Sequence, residues 1–184
     1  MTLPRGFKAD AERAAARYRA ELGLGSADVL DVVALAKHLK VAVVDAGTLI
    51  ERSRLEELER LQAFAFSAAT FEIEDKHVIV TNPLRAAGRL ASDIAHELSH
   101  LELKHELSEV RELDGVPFRT CRPDEEEQAT AFGGIILLPR SLLIRAAARG
   151  RTIEQIAETA GVTVEMARYR YNTTGVAKQV ARRS

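Results

Sequence analysis

Residues 92–105 read SDIAHELSHLELKH and hold three of the chain's five histidines. In a helix each residue turns by about 100°, so His96 and His100 differ by about 40° and stack on one face, where two imidazoles can reach a single metal ion. Glu97 lies about 100° round from His96, too far to share the inner ligand set easily and close enough to touch a water on the ion's open side. This is the H-E-x-x-H arrangement of zinc proteases, in which the glutamate is the general base and not a ligand. Ile94, Leu98 and Leu101 fall about 140–200° from His96, so the opposite face is apolar and can seat the helix in a core. Random order would produce such a pattern with a probability on the order of 1%, which makes chance a poor account of it. His105, nine positions beyond His96, projects about 180° away on the apolar side. It reads as a helix-end histidine and not as a ligand.

A catalytic zinc takes three protein ligands plus water, so a third must come from downstream. The acidic cluster DEEE at 124–127 is the obvious supplier. With Ala129, Phe132, Gly133 and Ile136 as the buried face of a helix there, Glu127 points nearly opposite, while Glu125 and Glu126 both lie on or near the inward side. Periodicity slightly prefers Glu125 and does not settle the choice.

The elements that must position these residues follow from spacing and punctuation. FKADAERAAARYRAEL (7–22) predicts a helix stopped by Gly23 and Gly25, and VLDVVALAKHL (29–39) a second, capped by Ser26 or Asp28. His38, near its end, suits the helix C-terminus as a favourable charge. VAVV (41–44) reads as a short buried strand, and 49–61 as a mixed loop or helix. QAFAFSAATFEI (62–73) and HVIVT (77–81) alternate as strands and predict a hairpin about EDK. Asn82 and Pro83 end it, and a long helix over about 85–105 carries the histidines. Residues 108–124 show no period and read as a long irregular connection. Pro123 then opens a helix that runs to Leu138 and is closed by Pro139. Three short helices are expected beyond it, joined at Gly150 and at Gly161–Thr163, with a mobile tail.

Composition bounds the class. With 184 residues, 46% hydrophobic and 29% charged, the chain suits one well-filled core. No stretch resembles a signal peptide or approaches the roughly 20 apolar residues of a membrane helix, and a single cysteine, Cys121, cannot form an internal disulfide. A cytoplasmic protein with no membrane partner is the expectation. Cys121 reads as an ordinary loop cysteine in preference to a thiolate that blocks the metal. The net charge of −1 hides an asymmetry, with +6 over residues 140–184 against −7 over 1–139. The basic end suits either a nucleic-acid partner or the acidic body of the same molecule.

The Asn82-Pro83 pair, the helix with H-E-x-x-H and, some 26 residues after His100, the element EEQATAFGGIILLP (126–139) together resemble the ImmA/IrrE-type metallopeptidases. Glu126, Ala129, Phe132, Ile136, Leu137 and Pro139 match the second element. The resemblance is specific over 62–139 and looser over the first 44 residues. Gly133 departs from the commoner alanine, and Ile136 from leucine. The resemblance implies that Glu126 completes a His-His-Glu site with His96 and His100 for Zn²⁺, with Glu97 as catalytic base. An extended protein substrate would lie along a sheet edge, for which HVIVT is the expected strand. No oxyanion-stabilising residue is identifiable.

TIEQIAETAGVTVEMARYRY (152–171) has the look of a helix-turn-helix, in which Arg168 and Arg170 would face phosphates, yet Arg170 stands where that motif usually buries an aliphatic residue. The resemblance implies a helical segment packed on the peptidase body, and packing is preferred to DNA binding. The expected fold is therefore α+β: a zincin-like metallopeptidase domain (1–139) with a helical entry region, a small β-sheet and an active-site helix, and a basic, helix-turn-helix-like C-terminal segment (140–184). The implied function is a zinc endopeptidase that cleaves a helix-turn-helix repressor in a stress-response or mobile-element circuit. The alternatives are a non-enzymatic metal-binding regulator acting on DNA or a repressor through its basic helices, and a degenerate peptidase fold serving as an interaction module.

Overall fold

The computed structural model describes residues 3–61, 66–105, 110–113, 116–119 and 122–181. Its first helix, α1 (Phe7–Glu21), is rich in alanine and long charged residues and buries Ala11, Ala15, Tyr18 and Arg19. The chain turns at Gly23, whose φ of 73° only glycine adopts without strain. The second helix, α2 (Val32–His38), starts later than expected because its cap is Asp31, which accepts from the Val33 amide at 2.8 Å. Asp28 is engaged elsewhere, by the Gly25 amide and by Arg145. These bonds hold the Asp28 carboxyl below the usual range, Arg145 contributing most. Residues 52–61, ambiguous in sequence, form helix α3 (Arg52–Leu61).

Three strands form one sheet: β1 (Ala42–Asp45), β2 (Ala68–Ile73) and β3 (Lys76–Thr81), in the order β1-β3-β2. The hairpin turn is Glu74-Asp75, with φ of 50° and 58°, and two positive φ values in a two-residue turn match the right-handed twist of the flanking strands. The sheet corrects one expectation. β3, the HVIVT strand, pairs in parallel with β1 and antiparallel with β2, so it is central, whereas β2 has a strand neighbour on one side only among the described residues. The reason is that β3 comes back to lie beside β1, each residue facing one 36 positions earlier (Val78 opposite Ala42). β2 begins at Ala68, later than the predicted 62; residues 62–65 lie outside the described ones.

Asn82, 2% exposed, marks the passage from sheet to helix: its amide donates to the Phe66 carbonyl at 2.9 Å and its oxygen accepts from the Leu84 amide. Arg85 grips both Glu59 oxygens, at 2.9 and 2.6 Å, and so ties α3 to the entry of the histidine helix, α4 (Ala87–Glu102). The stretch 108–124, expected to be irregular, contains an antiparallel pair, β4 (Val110–Leu113) and β5 (Val116–Arg119), with Leu113 opposite Val116. The Asp114-Gly115 dipeptide between them was the overlooked sequence signal. Cys121 lies outside the described residues.

Helix α5 (Pro123–Leu137) opens on proline with Asp124, Glu125 and Glu126 in its first turn, as its sequence suggests. It packs along α4, and a Cβ at Gly133 would stand only 3.0 Å from the Ala95 carbonyl group, which explains the departure from alanine: glycine lets the helices approach beside His96. Leu98, Ile135, Ile136 and Leu138 are essentially fully buried, each worth about 1.5–3 kcal/mol.

Four helices follow: α6 (Arg140–Ala148), α7 (Ile153–Ala160), α8 (Val164–Thr173) and α9 (Val176–Ala181), the last in place of most of the expected mobile tail. The terminal carbonyls of α5 have no partner within the helix and are met by two buried arginines. Arg19 of α1 donates to Ile136 and Leu137, and Arg170 of α8 donates twice to Leu138, at 3.1 and 3.0 Å, and to Glu12 at 2.9 Å. Among the described residues no single helix is long and apolar enough to cross a membrane.

Candidate metal centre

Helix α4 places His96 and His100 on one face, and α5, packed against it, brings Glu126 opposite them. The two Nε2 atoms stand 3.0 Å apart, and the Glu126 carboxylate oxygens lie 3.2 Å from His96 Nε2 and 3.6 Å from His100 Nε2. Ligands on a tetrahedral ion with bonds of about 2.0–2.1 Å are separated by about 3.3–3.4 Å, so the triangle is the right size. Its donors, two imidazoles and a carboxylate, suit zinc and similar divalent ions. These three form the group among the described residues that could hold a metal ion.

The imidazoles meet the centre through Nε2 because their other nitrogens are turned outward. His96 Nδ1 lies 3.4 Å from the Thr130 hydroxyl, and His100 Nδ1 lies 3.1 Å from Nδ1 of His105. Partners of this kind set the tautomer and orientation of a ligating histidine. His105 was expected on the opposite side. The 100° rule fails there because α4 ends at Glu102: Lys104 turns left-handed (φ 56°), the His105 amide donates to the His100 carbonyl at 2.9 Å, and the ring folds back onto His100. Tyr18 donates to Glu102 and pins that end of α4 to α1. Burial, aided by the Glu102 charge, pushes the Tyr18 hydroxyl far above its usual pKa, so it remains a donor.

Glu97 projects beside the group and accepts a 2.5 Å hydrogen bond at Oε2 from the Thr70 hydroxyl, on the buried face of β2. Thr70 escaped sequence reasoning because nothing local relates a strand threonine to a residue 27 positions on. A bond to a charged acceptor is worth about 1.5–3 kcal/mol. Replacing Thr70 with valine should therefore lower any Glu97-dependent rate by about 10–100-fold at unchanged metal content, and Thr70→Ser should restore it. Equal rates in wild type and Thr70→Val would show that the bond does no positioning.

Glu125, the alternative third ligand, turns to Arg122 at 3.2 Å, away from the histidines. His38 contacts Glu21 at 2.9 Å and is not among the converging residues. Of the basic residues of the C-terminal segment, Arg170 is buried as described, Arg145 is half-buried and bonds Asp28 and the Ala27 carbonyl, and Arg140, Arg149, Arg151 and Lys178 are exposed, Arg140 reaching Gln179 of α9. Arg168, on the exposed side, lies 3.7 Å from Glu154.

The model of one protein family, described as Peptidase_M78, IrrE N-terminal-like domain, matches residues 50–172. No curated protein matches significantly. Among solved structures the chain is similar to a Mycobacterium tuberculosis transcriptional regulator, at 16% identity and a TM-score of 0.55 over 91% of this chain and 47% of that one. The chain thus spans about half the length of the solved protein it matches, and the likeness is one of fold.

Proposed function

Because the chain belongs to the IrrE N-terminal-like Peptidase_M78 family, we propose that it is a regulatory zinc endopeptidase of the H-E-x-x-H type, with a zincin-like catalytic domain, acting in the cytoplasm on a helix-turn-helix repressor. The observation that carries the reading is the convergence of two Nε2 atoms and a carboxylate at the spacing of a tetrahedral ion's ligands, with a second carboxylate anchored beside them. His96, His100 and Glu126 would hold the ion, which when bound supplies Lewis-acid polarisation of a carbonyl and an acidified water. Glu97 takes up a proton at Oε1, because Oε2 is engaged by Thr70, and returns it to the departing amine. The substrate backbone, extended, adds to the edge of β2 that has no strand neighbour among the described residues, with its carbonyl near the strand that carries Thr70.

The second reading, a metal-binding regulator without catalysis, draws on the structural likeness to a protein described as a transcriptional regulator. Arg170, buried and bound to Glu12, is withheld from a DNA-binding role, whereas Arg149, Arg151, Arg168 and Lys178 are exposed.

The test combines metal content with cleavage. Protein reconstituted with zinc should carry about one ion per chain, lose it on His96→Ala/His100→Ala substitution, and cut a helix-turn-helix repressor in a reaction abolished by chelator. Zinc retained by the double variant would remove the metal assignment. Intact repressors alongside salt-dependent DNA binding by the full chain would favour the regulator.

A further inference from the structure

The connection between α6 and α7 carries two exposed arginines, Arg149 and Arg151, whose guanidinium groups make no hydrogen bond or ion pair among the described residues. The backbone that presents them is nevertheless fixed at each end. The Arg151 amide donates to the Ala146 carbonyl at 3.1 Å, and Thr152 accepts from the Gln155 amide at 3.2 Å to cap α7. Both arginines line a recess of about 100 Å³. One face of α6 supplies Leu142, Arg145, Ala146 and Arg149, at the i, i+3, i+4 and i+7 spacing of a helix, and α7 adds Ile156 and Ala160. Leu142, Ile156 and Ala160 are buried, and the half-exposed Val29 completes the apolar part.

Size and charge together select the occupant. Of the lining guanidiniums only that of Arg145 has a carboxylate, Asp28 at 2.8 Å, so the charges of Arg149 and Arg151 are left for a partner. The recess is well below the roughly 300–1,000 Å³ of small-ligand sites, so it holds one aliphatic side chain and not a whole effector molecule. A nucleic-acid backbone would match the arginines but gains nothing from an apolar recess. A protein segment satisfies both, with one aliphatic side chain buried as an anchor and carboxylates beside it against the arginines.

We infer that the recess between α6 and α7 is a docking site for an acidic segment of a protein partner, with a leucine-like side chain as its anchor and flanking carboxylates paired to Arg149 and Arg151. None of its lining residues belongs to the metal group, so the site is separate from the candidate metal centre and independent of the peptidase reading. It gives the basic C-terminal segment a protein partner in place of DNA.

The probes are short fluorescent peptides: one of glutamate and aspartate with a single central leucine, the same peptide with central alanine, and a leucine peptide flanked by lysines. A labelled single-stranded oligonucleotide completes the set, and the anisotropy of each is titrated with full-length protein. The acidic leucine peptide should bind at least about tenfold more tightly than either other peptide, and more weakly as salt is raised. Arg149→Glu/Arg151→Glu should reverse the order of the acidic and lysine-flanked peptides, a swap that damage to the fold would not produce. Zinc content and unfolding midpoint are measured alongside, and Arg151→Glu alone carries the test should the double variant be misfolded. A Kd above about 1 mM for the acidic leucine peptide, equal binding of the leucine and alanine peptides, or an unchanged order in the variant overturns the docking site. So does tighter binding of the oligonucleotide than of the acidic peptide, which would assign the arginines to nucleic acid.

Discussion

Glu97→Gln is expected to reduce repressor cleavage by about 10³-fold, roughly 4 kcal/mol of transition-state stabilisation, while bound zinc and fold stay at wild-type levels. The amide keeps the shape of the carboxylate and can still accept from Thr70 through its oxygen, but it cannot take up a proton. Glu97 is not among the residues that converge on the metal position, so the ligand triangle survives the change. The loss should fall on kcat with little effect on KM, because proton transfer belongs to the transition state and not to substrate binding. Single-turnover cleavage with metal analysis on the same preparation checks this. Cleavage at the wild-type rate would exclude Glu97 as the base, and loss of zinc would make it part of the ligand set.

Arg19→Met should destabilise the protein by about 2–4 kcal/mol, seen as a lower urea midpoint and a Tm reduced by roughly 5–15 °C. Arg19 is completely buried and bridges three elements: it donates to Ala15 in its own helix, to Ile136 at 2.8 Å and Leu137 at the end of α5, and to the Asp28 carbonyl at 2.8 Å. Methionine fills similar space but leaves those carbonyls without donors away from water, while it relieves the cost of burying a charge, which keeps the estimate moderate. Lysine should rescue little, since one ammonium cannot span acceptors arranged for a planar fork. Burial pushes the guanidinium down to about 10, against the pull of Glu12 and Asp28. It is thus charged near neutrality whether the chain is folded or unfolded, no proton is taken up or released there, and the deficit should be flat from about pH 6 to 8. A variant within about 0.5 kcal/mol of wild type would show that water satisfies these carbonyls.

What could be read along the chain depended on one helix or one hairpin at a time. The 3.6-residue period puts His96 and His100 on one face with Leu98 on the other, and the structure keeps both faces, with Leu98 fully buried. Pro123 at a helix start and the turn between β2 and β3 are local signals of the same kind. A local rule holds only within its own element. Helical angle does not place His105, which lies beyond the end of α4, and the glycine, two prolines and missing period of 108–124 do not show the short strand pair within it.

The sequence by itself determined the composition of the candidate site, a histidine pair with an adjacent glutamate on an amphipathic helix and an acidic helix start downstream, because side-chain order and helical pitch are properties of a single segment. Tertiary structure decided what helical period left open between Glu125 and Glu126, in favour of the Glu126 that the family resemblance implies, and it alone decided that Thr70 holds Glu97, that β2 and not β3 is the edge strand among the described residues, and that Arg170 turns inward to cap α5. Each of these joins residues far apart in the chain, and such a pairing depends on how closely α4 and α5 approach at Gly133 and on which strand β1 returns to, relations that no single segment encodes.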